Sequence, residues 1–505
     1  MKFPTTLLLC LLLSPTLFAQ KDTLKFNANI SAISTVGTTK DQSFWLTHNR
    51  WGMFDDASAN GLTLLSTSYR INNEKLFSIG GGIDLVARAS SNSSAYIQQG
   101  YVEAKLGFIH FEAGRKQTSY GITLSDLSSG SLAISNNSIP IPRIVLSVPN
   151  FYNVPFTAGL LEFRGHFAHG WLDNSRYVKD AYFHDKSFHI QAGGDIGINA
   201  YWGLTHVAIW GGNSPVHGEL PATLPDFLRV MIAKEGPDGS PANEVNALGF
   251  HTGVWDWGVK TKIGQSSLHL YYQHLFTDGS GQSYKNKLDG LWGLGVKDPL
   301  PTRIVTEILY EFMYTMHQSG PGLSDPRVDD QPWFCDEPNC GFPYGGRDNY
   351  YNNSMYRSGH SYLGMSLGTP FFMTQKQLDK FDSDINTYSS VYFVSNRNIA
   401  HHFAVKGEVT HNFNYKLYAS YVRYFGTYTG LNMGDSSRFG FFNPDLNSED
   451  YFFNPAQKQW YFMLETSWKI KSIKNITFHS TLAVDKGQLF NNAGLMVGLS
   501  WDFNR

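Results

Sequence analysis

From Asn492 onward the chain alternates. Ala493, Leu495, Val497, Leu499, Trp501 and Phe503 fall on one side of an extended backbone, and Asn492, Gly494, Met496, Gly498, Ser500 and Asp502 fall on the other. A period of two predicts a β-strand, because successive side chains of a pleated chain point to opposite faces. The stretch before it repeats the design, with Trp460, Phe462, Leu464, Trp468 and Ile470 set against Tyr461, Met463, Glu465, Ser467 and Lys469. Further back, Phe403, Val405 and Val409 oppose His402, Lys406 and Glu408; Leu268, Leu270 and Tyr272 oppose His269, Tyr271 and Gln273; Ile79, Ile83 and Leu85 oppose Asp84 and Arg88. One face is apolar and aromatic, and the other carries charge.

Segments of this kind start near Lys25, Leu62, Lys75, Ala95, Phe108, Phe156, Ser187, Tyr201, Gly249, Ser266, Leu288, Thr302, Asn386, Ala400, Tyr415, Lys458, Lys474 and Asn492. That makes about 18 strands, an even number as bacterial barrels require. A soluble sandwich also alternates, but roughly ten residues per strand and a last strand ending in Trp501-Asp502-Phe503 favour a lipid-spanning cylinder. The expected fold is all-β: a transmembrane antiparallel β-barrel, with long loops and a few short helices plugging or covering the lumen. The long irregular stretches are 116–155, 212–248, 318–383 and 427–457, and short helices are expected at Phe227–Lys234 and Thr374–Phe381.

Composition narrows the class. Aromatic residues make up 15% of the chain, mean hydropathy is −0.26, and the single apolar run, Leu7 to Leu13, is too short to span a bilayer as a helix. With Lys2 before it and Leu17-Phe18-Ala19 after, that run reads as a secretory signal peptide, residues 1–19, leaving residues 20–505 as one barrel domain with 318–383 as a long loop or plug segment. Removing Lys2 takes the formal charge from −2 to −3, so no basic surplus is present to neutralise nucleic-acid phosphates. Cys335 and Cys340 lie close together in a Pro/Gly-rich segment and are a disulfide candidate for an exported chain.

Four blocks resemble the Wzi family of capsule assembly proteins, in the form common in Bacteroidetes-type bacteria. They are Glu112–Arg115 with Gly130–Asn137 and Ile139–Arg143; Phe227–Gly236 with Asn246–His251; Gly346–Asn353 with Tyr356–Tyr362 and Gly368–Pro370; and Ser395–His402. The resemblance implies an 18-stranded barrel that holds or organises surface polysaccharide as a lectin-like element. The alternative is a porin or sugar-selective channel. Capsular or other surface polysaccharide and outer-membrane lipid are the expected partners of a monomer, with no cofactor, no metal and no nucleic acid.

Candidate chemistry concentrates between Gln331 and Tyr362: Trp333, Tyr344, Arg347, Asp348, Asn349, Tyr350, Asn352, Asn353, Tyr356, Arg357 and Tyr362. Aromatic rings stack on the apolar faces of sugars while Asp, Asn and Arg reach the hydroxyls. The same set also suits an inward-folded plug whose polar groups satisfy one another. Arg115, Arg143, Arg397 and His402 are expected to face the lumen, with Asp84, Arg88, Glu103, Lys105, Lys406 and Glu408 as a compensated ladder of charge. His401 and His402 should point to opposite faces, which rules against a shared metal. No Gly-x-Ser-x-Gly, His-Glu-x-x-His or phosphate-loop motif points to an enzyme.

Overall fold

The computed structural model describes residues 23–73, 77–118, 122, 124–241, 247–300, 303–319, 348–380, 392–427, 453 and 455–504. The expected leader, the strand start near Asn386 and the Cys335/Cys340 pair lie outside them. Eighteen antiparallel strands form one closed sheet: β1 Thr23–Gly37, β2 Asn60–Asn73, β3 Phe77–Ala89, β4 Ser94–Leu106, β5 Ile109–Arg115, β6 Arg143–Asn153, β7 Leu161–Trp171, β8 Tyr182–Ala192 and β9 Ile198–Trp210 make the first half. The second half is β10 Phe250–Ile263, β11 Ser266–Phe276, β12 Gly290–Lys297, β13 Glu307–Tyr314, β14 Asn398–Thr410, β15 Phe413–Tyr424, β16 Gln457–Lys469, β17 Ile476–Gly487 and β18 Asn492–Asn504. Pairing of β1 with β18, Asn27 opposite Asn504 through Gly37 opposite Gly494, closes the cylinder and leaves no sheet edge.

The alternation sorts as read. Leu495, Val497, Leu499, Trp501 and Phe503 are exposed on the outer surface, as are Trp460, Phe462, Leu464, Ile79, Ile83 and Leu85, while Tyr461 and Met463 are buried inside. Lumenal tyrosines lie flat against the wall where the neighbouring strand offers glycine. A Cβ on Gly293 would sit 2.0 Å from the Tyr271 ring and one on Gly258 would sit 2.3 Å from Tyr201.

The strand pattern needs two corrections. The stretch 116–155 is not all loop, because β6 occupies its end; Pro149 and the irregular pairing between Val148 and Tyr152 break the period that would have revealed it. The next strand starts at Leu161 instead of near Phe156. The total of 18 therefore came from one strand missed and one placed near Asn386. Next to that position, Phe393–Ser395 pairs with Met373–Thr374 in a small sheet of its own, outside the barrel wall. Helices at Leu224–Met231 and Gln375–Leu378 are close to the expected spans, and each opens on a threonine capping box; single helical turns at Phe44–Thr47 and Gly279–Gln282 were not expected.

All long connections leave one end of the barrel; at the other end the longest is 298–306. Outer-membrane barrels turn their long loops outward and their short turns to the periplasm. Three outer connections fold back into the lumen: insert one, 38–59; insert two, 116–142; and insert three, the described parts of 315–397. Their Trp45, Leu46, Leu127, Leu132, Tyr350, Tyr351, Phe371 and Phe372 form one buried cluster with wall residues Tyr271, Leu309, Met313, Tyr418 and Tyr461. The lumen is crossed by a packed core.

Candidate functional site

Wall carboxylates and amides pin the inserts. Glu311 on β13 accepts from the Ser128 hydroxyl at 2.6 Å, from the Ser129 amide at 2.7 Å and hydroxyl at 2.6 Å, and from the Tyr271 phenol. Gln273 accepts the Leu132 amide at 3.0 Å, and His402 Nε2 donates to the Leu127 carbonyl at 2.8 Å. Asp485 accepts the Phe44 amide of insert one at 2.9 Å. Insert three locks onto insert two: Tyr351 donates to the Leu132 carbonyl, His360 Nε2 to the Ala133 carbonyl at 2.6 Å, and Ser135 to the Gly368 carbonyl at 2.6 Å. Burial lowers the His360 pKa to about 4, so the ring is neutral and a single-proton donor.

Above this core, at the long-loop end, lies a cavity of about 340 Å³, within the size range of small-molecule sites. Each of its walls comes from a different element. β3, β4 and β5 supply Arg88, Tyr96 and Arg115; insert one supplies His48, Phe54, Asp55 and Asp56; insert two supplies Asn137; insert three supplies Phe372, Lys376 and Gln377. The charges are arranged in pairs. Asp55 faces Arg88 at 3.7 Å, and Asp56 faces Lys380 at 2.7 Å and Lys376 at 3.1 Å. Burial alone would raise the Asp56 pKa, but the two ammonium groups hold it well below the ordinary carboxylate range. Burial also lowers His48 to about 4, and it sits neutral with Nδ1 donating to the Phe44 carbonyl at 2.9 Å and Nε2 accepting from Gln377 at 2.8 Å. The Arg88 guanidinium stands 5.9 Å from the Tyr96 ring centre, and Arg115 donates to the Tyr362 phenol at 2.9 Å. The cavity therefore combines an aromatic ring, fixed cations, fixed carboxylates and side-chain amides.

A second cavity of about 290 Å³ lies below, lined by Trp45, Arg50, Asp126, Lys416, Tyr418 and Glu465. Arg50 pairs with Glu465 at 2.8 Å and Lys416 with Asp126 at 3.3 Å. His48 lines both cavities, so insert one forms part of the partition between them.

Residues singled out from sequence divide between these places. Trp333, Tyr344 and Arg347 lie outside the described residues. Asp348, Tyr350, Tyr356 and Tyr362 are buried in the plug. Asp348 accepts from Ser319 at 2.7 Å, and burial with the nearby Asp278 pushes its carboxyl well above the usual range. Tyr350 donates to Asp289 at 2.9 Å. Asn349 accepts from Asn352, Asn396 and Thr427 at 2.6–2.8 Å; Asn352 pairs with the Phe393 backbone at 2.8 Å; Asn353 caps the amides of Met355 and Tyr356 at 2.9 and 3.0 Å. Arg357 is exposed, 4.8 Å from the Tyr177 ring. Arg143 reaches both oxygens of buried Asp185, at 2.9 and 3.0 Å, beside His166; Arg397 is buried, with Nε donating to the Met316 carbonyl at 3.4 Å. Among the described residues singled out from sequence, Arg115 and, from the charge ladder, Arg88 line the upper cavity. The sequence reading missed Tyr96 and the His48–Asp56 stretch, although His48-Asn-Arg-Trp-Gly-Met-Phe-Asp-Asp56 has the same aromatic-polar texture as the segment it did select.

Comparisons with known proteins agree with the architecture. The Escherichia coli outer-membrane protein Wzi, a carbohydrate-binding β-barrel involved in group 1 capsule assembly, superposes with a TM-score of 0.53 at 12% identity, over 93% of this chain and 83% of its own. The Pseudomonas aeruginosa protein OccD3 gives a TM-score of 0.45 at 10% identity, over 95% of this chain and 91% of its own. No curated protein sequence matches. The family model described as capsule assembly protein Wzi matches residues 37–326, more than half of the chain, from the end of β1 through β13 and including the first two inserts. This outer-membrane β-barrel belongs to the Wzi family of capsule assembly proteins.

Proposed function

We propose that the barrel binds surface polysaccharide in its upper cavity, in a lectin-like way, and so helps to hold capsule at the cell surface. The carrying observation is the cavity itself: Tyr96, Arg88, Arg115, Lys376, Asp55, Asp56 and Gln377 converge on about 340 Å³ at the outward end of the lumen. Sugars need this mixture, an aromatic plane for the ring's C–H face and fixed donors and acceptors for the hydroxyls. The plug floors the cavity, which supports retention of glycan over its passage. The description of the Escherichia coli structure as a carbohydrate-binding barrel supports the same reading. Exposed Arg357 is a further proposed contact, and Trp333, Tyr344 and Arg347 stay candidates on their residue types alone.

Deleting the gene and measuring cell-attached against released polysaccharide tests this role. Loss of attached capsule with normal total synthesis is expected; unchanged attachment overturns it. Planar-bilayer recording of the purified barrel separates binding from transport: a closed barrel fits the proposal, and a pore that passes oligosaccharides would make it a channel.

A further inference from the structure

The outward rows of a lipid-spanning barrel are normally apolar, because charge on that face is costly in hydrocarbon. On four adjacent strands of this one the rule is broken. His169 on β7, His184 and Lys186 on β8, His206 on β9 and His251 on β10 all stand in outward register, His169 opposite His184 and Lys186 opposite His206. None of the five is exposed.

What covers them is the helix Leu224–Met231, from the connection between β9 and β10, lying against the outer wall. The Phe227 ring centre is 5.2 Å from that of His169, 5.3 Å from His184 and 5.5 Å from Trp210, and Val230 is fully buried. Lys186 donates to the Met231 carbonyl at the helix end. His206 and His251 hydrogen-bond each other at 2.9 Å, and His251 donates on to the Leu248 carbonyl at 2.9 Å. The Thr223/Asp226 capping box fixes the helix start. The neighbouring connection does the same on a smaller scale, with the Gly281 carbonyl accepting from outward-facing, buried His274 at 2.9 Å.

The helix's far side is apolar: Leu224, Leu228 and Ile232, spaced by four, are 72%, 54% and 71% exposed. That side is continuous with the barrel's lipid-facing band. On β6, Ile144 and Leu146 are exposed directly beside His169 and Phe167, and on β8 the row below Lys186 continues with exposed Phe188 and Ile190. We infer that this helix is a membrane-embedded element: it lies in the outer leaflet with Leu224, Leu228 and Ile232 against lipid acyl chains, completing an apolar band that the polar wall beneath it interrupts. An amphipathic helix of this kind is held at a fixed depth and orientation by its protein face. The connection 211–249 is then a lipid contact at its helix, not part of the glycan-facing surface.

The test uses the full-length barrel in phosphatidylcholine vesicles containing nitroxide-labelled acyl chains. A fluorescent label is placed at Leu228→Cys in a chain with Cys335 and Cys340 changed to serine, with Phe188→Cys as the lipid standard and His411→Cys, in an exposed turn, as the water standard. Label at 228 should be quenched to at least half the extent seen at 188, with blue-shifted emission. Quenching at the level of the 411 label overturns the inference. A photo-crosslinker at Ile232 in intact cells gives an independent reading: lipid adducts support the assignment, and a discrete protein adduct makes the face a docking site for a partner and overturns it.

Discussion

Replacing Glu311 by alanine removes the acceptor for four hydrogen bonds that hold insert two to the barrel wall: the Ser128 hydroxyl, the Ser129 amide and hydroxyl, and the Tyr271 phenol. All of these donors are buried. Each one left without an acceptor costs about 1–3 kcal/mol, and local repairing of the hydroxyls recovers part of that, so docking of insert two should weaken by about 4 kcal/mol. That corresponds to roughly a thousandfold rise in the undocked fraction. The strand ladder of β13 uses only the backbone at Glu311, so the barrel should still form and keep its heat-dependent gel mobility. Amide exchange reads the effect directly, because the Ser129 N–H is one of the lost donors. The amides of 127–133 should exchange about a thousand times faster in the variant, while those of Leu309 and Met313 in the wall stay protected. Glu311→Gln, which keeps an acceptor but loses charge assistance, should fall between the two. Wild-type protection at 127–133 in Glu311→Ala would refute the idea that wall carboxylates pin the plug.

Two further outcomes follow from the same geometry. His360 has its pKa lowered to about 4 in the docked plug, against 6.5 when released, so the released form takes up a proton more readily as pH falls. Docking of insert three should therefore be at full strength above pH 6.5 and weaken between 6.5 and 4 by up to about 3 kcal/mol, at about 1.4 kcal/mol per unit. Exchange of the insert-three amides against pH measures this, and His360→Gln should flatten the profile. Arg143→Met leaves the buried Asp185 carboxylate without its two-point partner and should destabilise the barrel by about 3–5 kcal/mol, read as a lower temperature for loss of the compact gel band; an unchanged transition would mean that His166 compensates alone.

Much of the wall was legible because period-two alternation survives single-sequence reading: Ile79 to Leu85, Trp460 to Leu464 and Leu495 to Phe503 all face outward as their spacing required. β6 was not legible, since Ile139-Pro-Ile-Pro-Arg143 and Pro149 flank and break a strand whose pairing shifts at Val148. The site was less legible still. Tyr96, Arg88 and Arg115 lie on three strands and meet His48, Asp56, Asn137 and Lys376 only because three distant inserts fold into one lumen. No local spacing encodes that meeting. Nor does local pattern separate an aromatic-polar segment that lines a cavity from one that builds its floor: Tyr350, Asn352, Asn353 and Tyr356 have the composition of a sugar site, and the partners of their side chains include plug residues together with Asp289 and Gly211 of neighbouring outer connections.

Titration of the purified full-length barrel with capsular polysaccharides, wild type beside a Tyr96→Ala/Arg115→Ser double variant, addresses the central claim most directly. The expected result is saturable binding of at least one polysaccharide by the wild type. In a double variant that keeps its heat-dependent mobility, affinity should fall at least tenfold, the equivalent of about 1.4 kcal/mol from one lost aromatic contact and one lost charged donor. Equal binding by the two proteins, or no binding across the panel, would contradict the assignment of the upper cavity as a glycan site.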